Sequence, residues 1–244
     1  MKRLFILVAL VALVVLAIIF RLYLWAAISP LAQEFMKPRS VAERIQQYGE
    51  RARARLKPDF DRARLVYPPP RVALVGLKSE RVLQVYAADT KGKYRFVRSH
   101  PVLAASGKPG PKLREGDRQV PEGIYTIESL NPNSRFHLAL RVGYPNSFDR
   151  AQAEKDHRTN LGGDIMIHGG SVSVGCLAMG NEAAEDWFLL AADVGLPNVT
   201  VILSPVDFRA GASIPKTVAL PNWADLLYAQ IKSRLAELPL EKAK

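Results

Sequence analysis

A single cysteine in 244 residues excludes an intramolecular disulfide framework and any zinc or iron–sulfur site built from several thiolates. That thiol, Cys176, is therefore either packing or chemistry. Acidic side chains are sparse beside basic ones, 23 Asp and Glu against 34 Lys and Arg, and the formal charge of +11 raises an anionic partner. Nucleic acid is not favoured, because neither a nucleic-acid motif nor an aromatic-interleaved basic patch accompanies the charge. Core-forming residues are not lacking: 48% of the chain is hydrophobic, which excludes wholesale disorder. There is no internal repeat and no low-complexity block.

Polar side chains are missing from Leu4 to Phe20, and after Arg21 the apolar run resumes from Leu22 to Ile28. Behind the basic Lys2 and Arg3, this length predicts a transmembrane signal anchor over 1–28, with Arg21 snorkelling to the interface. No small-x-small cleavage site precedes Ser29, so the anchor is expected to remain. With the basic tail inside, everything after residue 29 lies outside the cytoplasm. The next stretch, 29–69, reads as a basic juxtamembrane helix and a linker. Ser40 and Glu43 have capping-box spacing, and Val41, Ile45, Tyr48, Ala52 and Leu56 then recur on one helical face, predicting an amphipathic helix over 40–57. Between Lys37 and Arg71 there are ten Lys or Arg and four Asp or Glu, a local +6 beside the membrane. Anionic lipid headgroups are the expected partner, and a solvated helix face is the alternative.

Tyr67-Pro68-Pro69-Pro70 ends the helical pattern as a stiff linker. Short β-rich runs follow at Val72–Leu77, Val82–Ala87, Tyr94–Val97, Gly123–Glu128, Phe136–Val142, Asp164–His168 and Val199–Leu203. The expected fold is mainly β, a β-sandwich or barrel, over a domain spanning 70–208. Asn181–Val194 carries Trp187, Phe188, Leu190 and Ala191 at helical spacing and predicts one helix packed on the sheet. Trp223, Leu226, Leu227, Ile231 and Leu235 form a second helical stripe in a tail over 209–244.

The cysteine closes the run Ile165-Met166-Ile167-His168-Gly169-Gly170-Ser171-Val172-Ser173-Val174-Gly175-Cys176, a strand followed by a Gly- and Ser-rich loop. A thiol needs a base, and His168 lies eight residues upstream across a turn able to bring the two together. The Gly175 and Cys176 amides are the candidate oxyanion donors. On spacing alone, a buried structural cysteine remains the alternative.

These residues resemble the active-site signature of the L,D-transpeptidase catalytic domain (YkuD domain), in which a strand-borne His precedes a Ser-x-Gly-Cys turn. Asp117-Arg118-Gln119-Val120-Pro121-Glu122-Gly123-Ile124-Tyr125 is similar to that family's Pro-x-Gly-aromatic hairpin, and Gly143-Tyr144-Pro145-Asn146 to its Gly-Tyr-Pro-Asn segment. The resemblance covers roughly 70–205 and implies a β-sandwich acting on bacterial peptidoglycan stem peptides at the carbonyl next to diaminopimelate. It implies Cys176 as nucleophile, His168 as base and the Gly169 carbonyl as the group orienting the imidazole. Arg118 is a candidate for a substrate carboxylate, against the alternative of a solvated arginine. Tyr144 and Asn146 are candidates for the groove, against turn chemistry, and Ser173 is a candidate contact in the catalytic loop. No cofactor and no metal are expected. The expected location is the bacterial inner membrane, single-pass, with the catalytic domain in the periplasm or wall space.

Two departures bear on the reaction. Val174 stands where the signature commonly has a second His, Ala178 where it commonly has an Arg, and the His-to-Cys loop is short. The short form resembles the YafK-like branch associated with hydrolysis, which places an amidase releasing a wall-linked protein or peptide ahead of a cross-linking transpeptidase. The rivals from other classes are a zinc peptidase using His157, Asp164 and His168, and a non-catalytic wall-binding module.

Overall fold

The computed structural model describes residues 13–25 and 37–241. The chain divides into two compact units, Met1–Arg39 and Ser40–Lys244. In the first, residues 13–25 form helix α1, all of it exposed. Among the described residues no helix is long and apolar enough to cross a membrane, and the rest of the anchor expected over 1–28 lies outside the described residues.

The second unit begins with helix α2, Val41–Ala63. Ser40 and Glu43 make the reciprocal capping box expected of them. The helix runs six residues beyond the expected end at 57 and contains Pro58. Packing overrides the proline, since Phe60 two residues on is 1% exposed in the core. Ala52, Leu56 and Phe60 bury one face of α2 against the rest of the unit, so α2 is an integral layer of the domain. Arg53 grips Asp193 at 2.6 Å, and Arg55 holds Glu185 and Asp186 at 2.8 and 2.7 Å. Two of the cations expected to face lipid are thus committed to the fold. The proline run is no free spacer either: the Tyr67 hydroxyl donates to Asp193 at 2.8 Å and its ring packs edge-on against Phe60.

Eight strands form one mixed sheet: β1 Val72–Leu77, β2 Val82–Ala88, β3 Tyr94–Pro101, β4 Gly123–Ser134, β5 His137–Val142, β6 Met166–His168, β7 Leu177–Ala178 and β8 Val199–Ser204, in the order β3-β2-β1-β8-β4-β5-β6-β7. The twelve-residue β4 joins the two halves. Its first residues, Gly123–Thr126, pair with β8, and from Ile127 onward it pairs with β5 through two register shifts. The expectation of a mainly β fold with packed helices holds; in place of the expected sandwich or barrel, the strands connect through β4 as one eight-stranded mixed sheet.

β1 is buried at all six positions because both of its faces are covered. Val72 and Leu74 point to the core shared with α2 and with helix α4, Asn181–Val194. Ala73, Val75 and Leu77 point to a second core roofed by helix α5, Ala224–Ala236, through Leu227, Tyr228, Ile231 and Leu235. The tail over 209–244 is therefore the cover of one sheet face. Helix α4 is buried nearly all round, including Glu185 and Asp186, whose charge Arg55 and Arg98 neutralise. A short helix absent from the sequence expectation, α3 Ser147–Lys155, is capped by Asn146.

Candidate active site

Strands β6 and β7 run parallel, with Ile167 opposite Leu177 and His168 opposite Ala178. Cys176 directly precedes Leu177, and the Met166 N–H donates to its Sγ at 3.3 Å. The register thus brings the thiol and the imidazole to one corner of the sheet. Among the described residues no hydrogen bond joins them: the thiol donates to the Asp164 carbonyl at 3.5 Å.

His168 is 3% exposed, and its Nδ1 lies 2.7 Å from the Gly169 carbonyl oxygen. A carbonyl only accepts, so Nδ1 carries the proton and Nε2 keeps a lone pair. Phe136 stacks on the imidazole with centroids 4.8 Å apart. Only glycine fits at 169: a Cβ there would lie 2.6 Å from the Phe136 carbonyl and 2.7 Å from Asn181 Oδ1. Asn181, at the start of α4, uses that same oxygen to accept the Gly170 N–H at 2.9 Å.

Burial pushes the His168 imidazole below its ordinary value, with the Gly169 carbonyl opposing. Burial pushes the Cys176 thiol up and the nearby Asp164 carboxylate adds to the rise, against the Met166 N–H and the Lys112 ammonium. Both shifts favour the uncharged forms, so the resting pair at neutral pH is thiol and imidazole.

The expected oxyanion donors are engaged. Gly175, at φ 82°, donates its N–H to Ser106 Oγ at 2.7 Å, and the Cys176 N–H reaches Ser173 Oγ at 3.2 Å. The Gly175 amide thus meets a hydroxyl from a distant segment. Ser173 likewise spends its oxygen inside the loop.

Among the described residues the guanidinium of Arg118 has no hydrogen-bond or ion-pair partner; the residue is exposed, with φ 56°. The Asp117 carboxylate fixes the turn by accepting the Leu113, Arg114 and Gln119 N–H groups and the Lys112 ammonium. Tyr144 and Asn146 both make contacts within the fold. Tyr144 is 3% exposed, packs edge-on against Tyr125 and donates to the Leu161 carbonyl at 3.2 Å. Asn146 uses both ends of its amide, accepting the Asp149 N–H as the cap of α3 and donating to the Ile124 carbonyl. The zinc reading is corrected, since no group of three His, Cys, Asp or Glu among the described residues is placed to hold a metal, and Asp164 pairs with Arg141 at 2.6 Å.

Sequence reasoning missed Ser106, Lys112, Asp117 and Phe136. Asp117 carried a readable signal, being an Asp in a Gly-flanked turn. Ser106 carried none, since it meets Gly175 across 69 residues.

A thiol and an Nδ1-anchored imidazole on neighbouring strand ends form the constellation from which cysteine acyl-transfer enzymes are built. Residues 70–201 match the L,D-transpeptidase catalytic domain, YkuD. The match covers more than half of the chain, which belongs to this family. The YafK protein of Escherichia coli K12, named provisionally as an L,D-transpeptidase, is 36% identical over 160 residues, covering 64% of this chain and 61% of YafK. Its counterpart in strain O157:H7 matches equally. The chain thus spans about three-fifths of the length of these relatives. Among solved structures, the helical cell shape determining protein Pgp2 of Campylobacter jejuni is 26% identical, with a TM-score of 0.46 over 56% of this chain and 48% of Pgp2. Bd1075 of Bdellovibrio bacteriovorus is 21% identical, with a TM-score of 0.41 over 68% of this chain and 56% of its own.

Proposed function

We propose that this protein performs cysteine acyl-enzyme chemistry on peptidoglycan stem peptides at the diaminopimelate residue, with hydrolysis ahead of cross-linking. The observation that carries this reading is the His168 imidazole, held at Nδ1 by the Gly169 carbonyl, in the same sheet corner as Cys176. In the proposed mechanism, substrate binding closes the thiol onto the imidazole. Nε2 takes the proton as Sγ attacks the carbonyl carbon, and the negative charge passes to the carbonyl oxygen. The Cys176 N–H meets that oxygen by exchanging it for Ser173 Oγ. The C–N bond then breaks, the imidazolium returns the proton to the leaving amine, and water hydrolyses the thioester with His168 again as base.

Hydrolysis is placed first because of what flanks the thiol. Val172 and Val174 are 60% and 69% exposed, and Ala178 is buried where a cation would hold an acceptor. These three side chains supply no hydrogen bonds to orient an incoming amine, whereas water needs little positioning surface. Arg118 takes a substrate carboxylate with its free guanidinium. The leaving group in this reading is a protein or peptide linked through an amine to diaminopimelate. The chain is held at the bacterial inner membrane by a single-pass segment over 1–28, with anionic lipid near the remaining cations of α2, and the domain lies in the periplasm or wall space.

The test is mass spectrometry of products from diaminopimelate-containing muropeptides, with and without a lysine-linked peptide, using the wild-type chain and Cys176→Ala. Release of the linked peptide by water, abolished in Cys176→Ala, is the expected result. Cross-linked or amino-acid-exchanged products establish a transpeptidase instead. No product, with wall binding retained, establishes a binding module.

A further inference from the structure

The Ser106 side chain touches both the cysteine turn and the Arg118 turn. It lies two residues after Ala104, which bridges antiparallel to Ala178, itself two residues beyond the cysteine. Its Oγ accepts the Gly175 N–H at 2.7 Å and its hydroxyl donates to the Arg118 carbonyl at 2.6 Å. The neighbouring contacts reinforce this tie. Gln119 Oε1 accepts the Lys108 N–H at 2.9 Å, and the Gln119 side chain lies so tightly over Gly107 that a Cβ there would sit 1.8 Å from it.

Gly175 needs such a tie more than other residues would. It stands at φ 82°, nothing but the Gln119 carbonyl comes within 4 Å of its missing Cβ, and glycine has the widest conformational choice. Its conformation sets the direction of the following peptide, whose N–H is that of Cys176. On the other side, the Arg118 carbonyl anchors a residue at φ 56° whose guanidinium reaches solvent.

Resting on the acyl-enzyme reading, we propose that Ser106 is a positioning residue that aligns the Cys176 amide through Gly175 and presents Arg118 to the substrate carboxylate. One hydroxyl then serves two kinetic parameters. Amide alignment is felt in the transition state and shows in kcat, while presentation of the arginine shows in KM for substrates with a free carboxylate.

The experiment compares the full chain with Ser106→Ala and Ser106→Thr on muropeptides whose diaminopimelate carboxylate is free or amidated. Ser106→Ala is expected to lower kcat about tenfold on both, the scale of one lost hydrogen bond. It is expected to raise KM several-fold on the free carboxylate only, and Ser106→Thr restores both. A kcat within twofold of wild type, or a loss that threonine fails to rescue in a variant of unchanged melting temperature, overturns the proposal. Amide hydrogen exchange separates this outcome from failure of the enzyme reading. Faster exchange at Gly175 and at 117–119 in Ser106→Ala supports the tie even where the wild-type chain turns over nothing, and unchanged exchange overturns it.

Discussion

Replacing Gly169 with alanine tests whether a backbone carbonyl orients the base. The added methyl would lie 2.6 Å from the Phe136 carbonyl, 2.7 Å from Asn181 Oδ1 and 3.0 Å from His137 Cβ. Neither close oxygen is the free end of a flexible chain. One is backbone, and the other is fixed by the Gly170 N–H at 2.9 Å. Residue 169 must therefore move by several tenths of an ångström, taking its carbonyl off His168 Nδ1 and disturbing Phe136, whose ring lies on the imidazole. Overpacking of this kind costs about 1–3 kcal/mol of stability, equivalent to a fall of roughly 2–12 °C in melting temperature for a domain of this size. The catalytic loss is expected to be larger than that destabilisation explains, because an imidazole displaced or turned to the wrong tautomer forfeits about 100-fold or more in kcat. Calorimetry and steady-state kinetics on muropeptides, both at a temperature where the variant is fully folded, read the two effects separately. A variant that melts lower and keeps kcat within threefold refutes orientation by the Gly169 carbonyl.

Three further outcomes follow from the same geometry. Burial lowers the His168 pKa, so the acid limb of kcat/KM is centred below the ordinary imidazole value of 6.5; a pH–rate profile whose acid limb is centred above 6.5 contradicts the assignment. Arg55→Ala removes one partner from each of the buried Glu185 and Asp186 and is expected to cost about 2 kcal/mol in urea unfolding, less than for a stranded charge because His137 still meets Glu185 at 2.9 Å and Arg98 still meets Asp186 at 3.0 Å. Asn146→Ala removes the cap of α3 and costs about 1 kcal/mol while leaving KM unchanged; a raised KM at unchanged stability would return Asn146 to the substrate groove.

What was legible in the sequence divides along physical lines. β1 is readable because a strand covered on both faces is an unbroken apolar run, β2 and β8 because only Gln84 and Thr200 interrupt theirs, and α4 because Trp187, Phe188, Leu190 and Ala191 repeat at helical spacing. β7 was not readable, since two residues carry no periodicity and Leu177–Ala178 is a strand only through its pairing with β6. α3 goes unread because its apolar stripe is too weak for a pattern search to favour, and the Asn146–Asp149 capping box that starts it is seen only in the structure. At the site, Cys176, His168 and Gly169 lie in one continuous run and were read together. For Tyr144 and Asn146 the sequence does not separate a groove role from a fold role, because motif residues that hold the fold look the same as those that touch substrate, and the structure shows their contacts within the fold. Ser106 was invisible for the opposite reason, its importance lying in two contacts, 69 and 12 residues away.

The charge state of the resting pair sets the chemistry the site avoids as well as the chemistry it performs. Oxidants and alkylating agents attack thiolates, so a cysteine held as an ion pair with imidazolium is reactive before any substrate arrives. Here burial pushes the thiol up and the imidazole down, and the thiol proton rests on the Asp164 carbonyl rather than on His168. Deprotonation is thereby deferred to the encounter with substrate, when closure onto Nε2 makes proton transfer part of the attack. On the proposed location outside the cytoplasm, where nothing keeps cysteines reduced, that ordering preserves the nucleophile. Labelling with iodoacetamide checks it directly: the rate at pH 7 is expected to fall well below that of an unhindered thiol and to rise only above the ordinary cysteine range. Labelling at pH 7 as fast as a free thiolate would permit, lost in His168→Ala, would instead show a preformed ion pair and overturn general-base activation.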